Sequence, residues 1–244
     1  MPLQTYVRRI TVLCAVFCFL GSGVYAQQAA APAELTNEQV VKKLKDANER
    51  YWDGKMTHLH QDADRRKELI DDQHPFVAVL SCADSRVPPE VIFDQGLGDI
   101  FVVRVAGNVA SREAIASLRY IVEHGTKHVL VLGHESCGAV KTVLESLPPT
   151  KGKGVAAPAY MQSLVNLLLT PVRKAREESR FEDTLDNAVR ENVVSVARGL
   201  AVSLEALRTK VTIIGGRYDL HSGKVQFWTG AWQPPPVQTA AAIH

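Results

Sequence analysis

Four short runs rich in Val, Ile and Phe, at residues 76–81, 100–105, 128–132 and 211–215, constrain the fold more than any other feature of this sequence. They are too uniformly apolar for strands with one wet face, and read as strands buried on both faces. Helical periodicity separates them, at residues 112–123, 138–145, 161–178 and 185–207. A further amphipathic helix comes first: Thr36 and Gln39 have capping-box spacing, Val40, Val41, Leu44 and Ala47 recur at helical intervals, and Gly54 stops it. Strands alternating with helices predict an α/β fold with a mostly parallel central sheet flanked by helices. Ligands bind such sheets beyond the carboxyl ends of the strands, where the strand order reverses. Cys82 directly follows the first run, and His134 and Cys137 follow the third. A strand order of 2-1-3-4 therefore brings all three together.

Ahead of this region, Arg8 and Arg9 precede an apolar run at residues 10–20 and small residues up to Ala26. That is the layout of a secretory signal peptide, with cleavage expected after Ala26 and a periplasmic or secreted product. The run falls short of the about 20 residues that a spanning helix needs, so no membrane association is expected after cleavage. Removing residues 1–26 takes two of the 28 Lys and Arg and none of the 26 Asp and Glu, leaving a formally neutral chain. The charge balance then gives no support to nucleic-acid binding. Residues 27–35 read as a flexible leader, 36–232 as one folded domain, and 233–244, opening near Pro234, Pro235 and Pro236, as a frayed tail.

Cys14 and Cys18 leave with the signal, so Cys82 and Cys137 are the cysteines that remain. In an exported protein two cysteines suggest one disulfide, and that reading stays geometrically open. It gives no role to Asp84, Arg86 or His134. The segments Cys82-Ala83-Asp84-Ser85-Arg86 and His134-Glu135-Ser136-Cys137-Gly138 offer two thiolates and one imidazole, a ligand set suited to tetrahedral zinc. Three protein ligands leave a fourth position open, as in catalytic sites. The gap from Cys82 to Arg86 is too short for a phosphatase-like thiolate loop, and neither a zinc-deaminase pattern nor a redox Cys-x-x-Cys is present.

Through Cys82-Ala-Asp-Ser-Arg86, Arg104-Val-Ala-Gly-Asn108 and His134-x-x-Cys-Gly138, the chain resembles the β-class carbonic anhydrases from about Thr36 to Trp228. The resemblance implies the fold of that family and a zinc lyase that hydrates carbon dioxide reversibly to bicarbonate by a zinc-bound hydroxide. By it, Cys82, His134 and Cys137 hold Zn2+, and Asp84 with Arg86 forms the catalytic dyad. It assigns substrate binding to Gln73, Phe101, Tyr120 and Gly138, and it implies a homodimer or larger homo-oligomer in which the Tyr120 position serves the neighbouring chain. Close relatives hydrolyse carbonyl sulfide or carbon disulfide, which remains the alternative. Val79 and Gln73 resemble the accessible, plant-like subgroup, which does not close on binding bicarbonate at a second site. Glu135 departs from the small residue that relatives often carry there. His58, His60, His124, His128 and His221 are expected to have structural or surface roles.

Overall fold

In a computed structural model the described residues are 35–148, 156–178, 184–205 and 210–228. The expected signal peptide, most of the leader and the tail lie outside them. The chain begins with α1 (Asn37–Trp52), where Thr36 Oγ1 accepts from Gln39 N and Gln39 Oε1 accepts from Thr36 N, completing the capping box. Next come α2 (Ala63–Glu68), capped by Asp62, then β1 (Val77–Ser81), α3 (Pro89–Ile92) and β2 (Ile100–Arg104). A short 3-10 turn at Ala106–Asn108 leads to α4 (Arg112–Glu123), which Ser111 caps, and to β3 (His128–His134). The remainder is α5 (Gly138–Ser146), α6 (Gln162–Glu178), α7 (Thr184–Glu205), β4 (Thr212–Tyr218) and β5 (Val225–Trp228).

The sheet order is β2-β1-β3-β4-β5, parallel except for β4 against β5. The expected 2-1-3-4 order is present, with an antiparallel strand added at one edge. Both faces of the sheet are covered, as strands apolar at every position require. Val77, Val79, Leu130 and Leu132 pack with α1, α5 and α6 on one side. Their neighbours Ala78, Leu80, Val129 and Val131 pack with α4 and α7 on the other. Among the described residues no helix is long and apolar enough to cross a membrane.

The sequence pattern ends β3 at Leu132, whereas the strand continues to His134. Gly133 permits this, because a Cβ there would stand 2.6 Å from Val193 Cγ2 on α7. The bare backbone lets α7 close onto the strand and makes His134 the last strand residue, not part of the following loop.

A buried amide ties three separate segments together. Asn48 on α1 donates through Nδ2 to Ile92 O at 3.2 Å and Gly223 O at 2.9 Å, and its Oδ1 accepts from Val225 N at 2.8 Å. Asn48→Ala strands these groups in a site only 4% exposed. The expected loss is about 1–3 kcal/mol of unfolding free energy with the far-UV spectrum unchanged. Denaturant titration checks it, and an unaltered midpoint refutes it.

Candidate metal centre

Parallel pairing of β1 with β3 sets Ser81 opposite Leu132, so Cys82 and His134 emerge at the same end of neighbouring central strands. Cys137 caps α5 and brings its side chain to the same point. The ligand atoms of Cys82, His134 and Cys137 all lie within 4.8 Å of one another, and each residue is at most 4% exposed. Both cysteines are free thiols, with Sγ atoms 4.0 Å apart, so the disulfide reading is not what this fold adopts.

His134 Nδ1 donates to Glu135 O at 2.8 Å. A carbonyl only accepts, so the proton sits on Nδ1 and the lone pair on Nε2, which is buried with no hydrogen-bond partner among the described residues. An unpaired nitrogen facing two thiols is costly in an apolar core and suits a metal ligand. The thiols share their ionisation. Hydrogen bonding from Cys137 lowers Cys82 to about 4, with Gly107 N–H adding to it at 3.3 Å from Sγ. The bond to Cys82 and burial push Cys137 far up. One negative charge is thus favoured and a second is not, unless a cation neutralises both. The donor set and its charge fit zinc.

Asp84 stands beside this cluster, with Oδ2 3.9 Å from His134 Nε2. Arg86 holds it by a bidentate pair, Nε to Oδ1 at 2.9 Å and Nη2 to Oδ2 at 2.7 Å, and Arg86 N also donates to Oδ1 at 3.0 Å. That pairing keeps the Asp84 carboxyl well below the usual carboxylate range. Arg104 fixes the loop from beneath, donating to Cys82 O at 3.0 Å and to Asp84 O at 2.6 Å.

The carbonic anhydrase family pattern matches residues 77–225, which contain all of these groups. Carbonic anhydrase 2 of Mycobacterium tuberculosis is 36% identical over 187 residues, covering 75% of this chain and 88% of its own length. The carbonic anhydrase of Mycolicibacterium smegmatis is 35% identical over 195 residues, covering 76% and 90%. Among solved structures, the Coccomyxa β-carbonic anhydrase aligns with a TM-score of 0.53 at 25% identity, over 78% of this chain and 87% of that one. The β-carbonic anhydrase CcaA gives a TM-score of 0.58 over 78% and 86%. The chain belongs to the β-class carbonic anhydrases.

In this carbonic anhydrase the site residues expected from sequence fall in two places. Cys82, Asp84, Arg86, His134, Cys137 and Gly138 gather at the carboxyl ends of β1 and β3. Gln73 and Tyr120 instead line a separate cavity of ≈ 470 Å³ beyond the amino end of β1, which puts about 15 Å of strand between them and Cys82. Phe101 lies on edge strand β2, part-buried and packed with the core under α4.

Four residues do more than the sequence reading assigned to them. Arg104 and Gly107 were visible only as parts of a motif, yet their backbone and guanidinium contacts hold Cys82. Glu135, the departure from the family pattern, turns its carboxylate away to accept from Leu220 N at 3.0 Å and to pair with His221 Nδ1 at 2.9 Å. The His221 pKa is raised by that bond. His124, expected to be unremarkable, stacks its ring 4.2 Å from that of Tyr120.

Because its folded pKa is depressed, the Asp84 carboxylate contributes stability above the unfolded value near pH 4, and that contribution is lost as pH falls toward the folded value. Arg86 is half exposed, so solvent screens the pair and its contribution is small. The melting-temperature gap between the parent and Arg86→Ala should be widest near neutrality and close on acidification. A gap that grows with acid contradicts the pairing.

Proposed function

We propose that this carbonic anhydrase is a zinc enzyme that hydrates carbon dioxide reversibly to bicarbonate and a proton, with Cys82, His134 and Cys137 as the ligands. The observation that carries this reading is the buried, unpartnered His134 Nε2 converging with two free thiols. Bound zinc supplies an acidified water, its pKa falling from 15.7 toward about 7, less far here because two thiolates donate more charge than imidazoles. Asp84 accepts a hydrogen bond from the attacking water and orients its lone pair toward carbon. Arg86 occupies both carboxylate oxygens of Asp84 and so holds it beside the ligands instead of among them. Gly138 opens α5, where backbone N–H groups without intrahelical partners favour the negative charge of bicarbonate. The displaced proton leaves to solvent or buffer.

Carbon dioxide is apolar and needs apolar walls, and Phe101 and Tyr120 offer them only from a second chain. Two features support a homodimer. Edge strand β2 leaves Ile100, Phe101, Val102 and Val103 only part-buried, an apolar edge of the kind that proteins ordinarily cover. Gln73 and Tyr120 share a cavity that their own metal ligands cannot reach. Val79 is fully buried in the core and Asp84 is held by Arg86, which fits the accessible subgroup. The export reading rests on the pattern of residues 1–26 and is part of the same proposal. Hydrolysis of carbonyl sulfide or carbon disulfide has no observation in its favour.

Metal analysis with stopped-flow carbon dioxide hydration tests the assignment. The expectation is about one zinc per chain. It should be lost in Cys137→Ser and retained in Arg86→Ala, which loses most turnover. Full zinc in Cys137→Ser, or normal turnover in Arg86→Ala, overturns it. The shared site is tested by mixing. Cys82→Ser and Tyr120→Ala homodimers should each be poor enzymes, yet unfolding and refolding them together should recover about a quarter of parental activity, since half the dimers are mixed and each has one whole site. No recovery in verified mixed dimers refutes the exchange of Tyr120.

A further inference from the structure

Asn192 is 1% exposed on a stretch of α7 where the apolar Val189, Val193, Val194 and Ala197 are buried with it, and where the neighbouring buried Arg190 and Glu191 are each held in an ion pair. A buried amide among such side chains costs stability unless its polar atoms are paired. Here the pairing is one-sided. Nδ2 donates to Gly107 O at 2.7 Å and reaches Asn108 Oδ1 only at 3.5 Å, while Asn192 Oδ1 and Asn108 Nδ2 have no hydrogen-bond partner among the described residues. A core built for stability alone would carry an aliphatic residue at this position.

The one short bond lands on the turn whose other side touches the thiols. Gly107 N–H donates to Cys82 Sγ at 3.3 Å, while Gly107 O receives Asn192. Gly107 has φ +70° and Asn108 φ 42°, a left-handed pair in which glycine offers little resistance to rotation. The turn therefore needs anchors outside itself. Asn108 N donating to Val105 O at 2.8 Å closes the turn on itself, and Asn192 supplies an anchor from α7.

We infer that Asn192 is a positioning residue for the metal centre: its amide fixes the Gly107 turn so that the turn's N–H stays on Cys82 Sγ and withdraws charge from that sulfur. The inference rests on the assignment of Cys82, His134 and Cys137 as the ligands. Groups that hold a ligand from outside set its basicity, and losing one commonly costs about 10–100-fold in metal affinity. A sulfur relieved of its hydrogen bond gives up electron density more readily, so its charge-transfer absorption to a bound metal moves to lower energy.

Cobalt(II) makes this visible. Full-length parent protein is stripped, loaded with Co2+, and its near-ultraviolet sulfur-to-cobalt absorption compared with that of Asn192→Leu and Asn192→Ala. Leu200→Ala, a truncation elsewhere on α7 in the same buried face, controls for lost packing. The expected result is a shift to longer wavelength in both Asn192 variants, with apparent Co2+ affinity down about tenfold, and a parental band position in Leu200→Ala. An unshifted band in a folded, cobalt-loaded Asn192 variant, or the same shift in Leu200→Ala, overturns the role of Asn192 while leaving the ligand assignment intact. Absence of any sulfur-to-cobalt band in the parent protein overturns the ligand assignment, and this inference with it.

Discussion

Parallel hydrogen bonding between β1 and β3, with Ser81 against Leu132, is the constraint on which everything at the metal centre depends. Side chains alternate along a strand, so a slip of one residue would turn His134 away from Cys82 and invert both apolar faces at once. The two core clusters guard against that slip from opposite sides, because each takes alternate residues of the same two strands. Helix α7 adds a direct check, since Val193 and Val189 fit only against the bare backbone of Gly133. Packing energy spread over the sheet is thereby converted into the placement of the Cys82, His134 and Cys137 side chains.

Much of this was legible in the sequence, for a physical reason. Strands buried on both faces have no polar alternation to confuse them, and the four apolar runs led to the central sheet, whereas its order was expected from the need to bring Cys82, His134 and Cys137 together. The antiparallel strand β5 has only four residues and follows a turn whose Asp219 and Ser222 chemistry the apolar pattern does not register. Helices α2 and α3, of six and four residues, are too short for periodicity to resolve. The candidate ligands and dyad stood out because they fall in two short segments, 82–86 and 134–138, each at the carboxyl end of a strand. The separation of Gln73 from Cys82 was also implicit, since one precedes β1 and the other follows it, but it acquires meaning only once both ends of the strand are seen. The support given by Asn192 had no local signal, because it joins α7 to a turn that lies far earlier in the chain.

The polar groups around the thiols divide into two kinds. Arg104 and Arg86 satisfy carbonyls and a carboxylate fully, and the loop they hold at residues 82–86 becomes rigid at little net cost. His134 Nε2, Asn108 Nδ2 and Asn192 Oδ1 are left wanting. Such deficits concentrated around one point mark where the fold has given up stability to keep a geometry.

The acceptor that orients His134 is a main-chain carbonyl, and a carbonyl survives every side-chain replacement. Position 135 is consequently free to drift: its side chain can change in charge, size or partner while the imidazole keeps its tautomer. In this chain the freedom has been used to anchor the loop after β4 through the carboxylate of Glu135. For anyone redesigning the electrostatics near the thiols, this residue offers an adjustable charge one peptide from His134, with the penalty of change falling on loop order instead of on the imidazole.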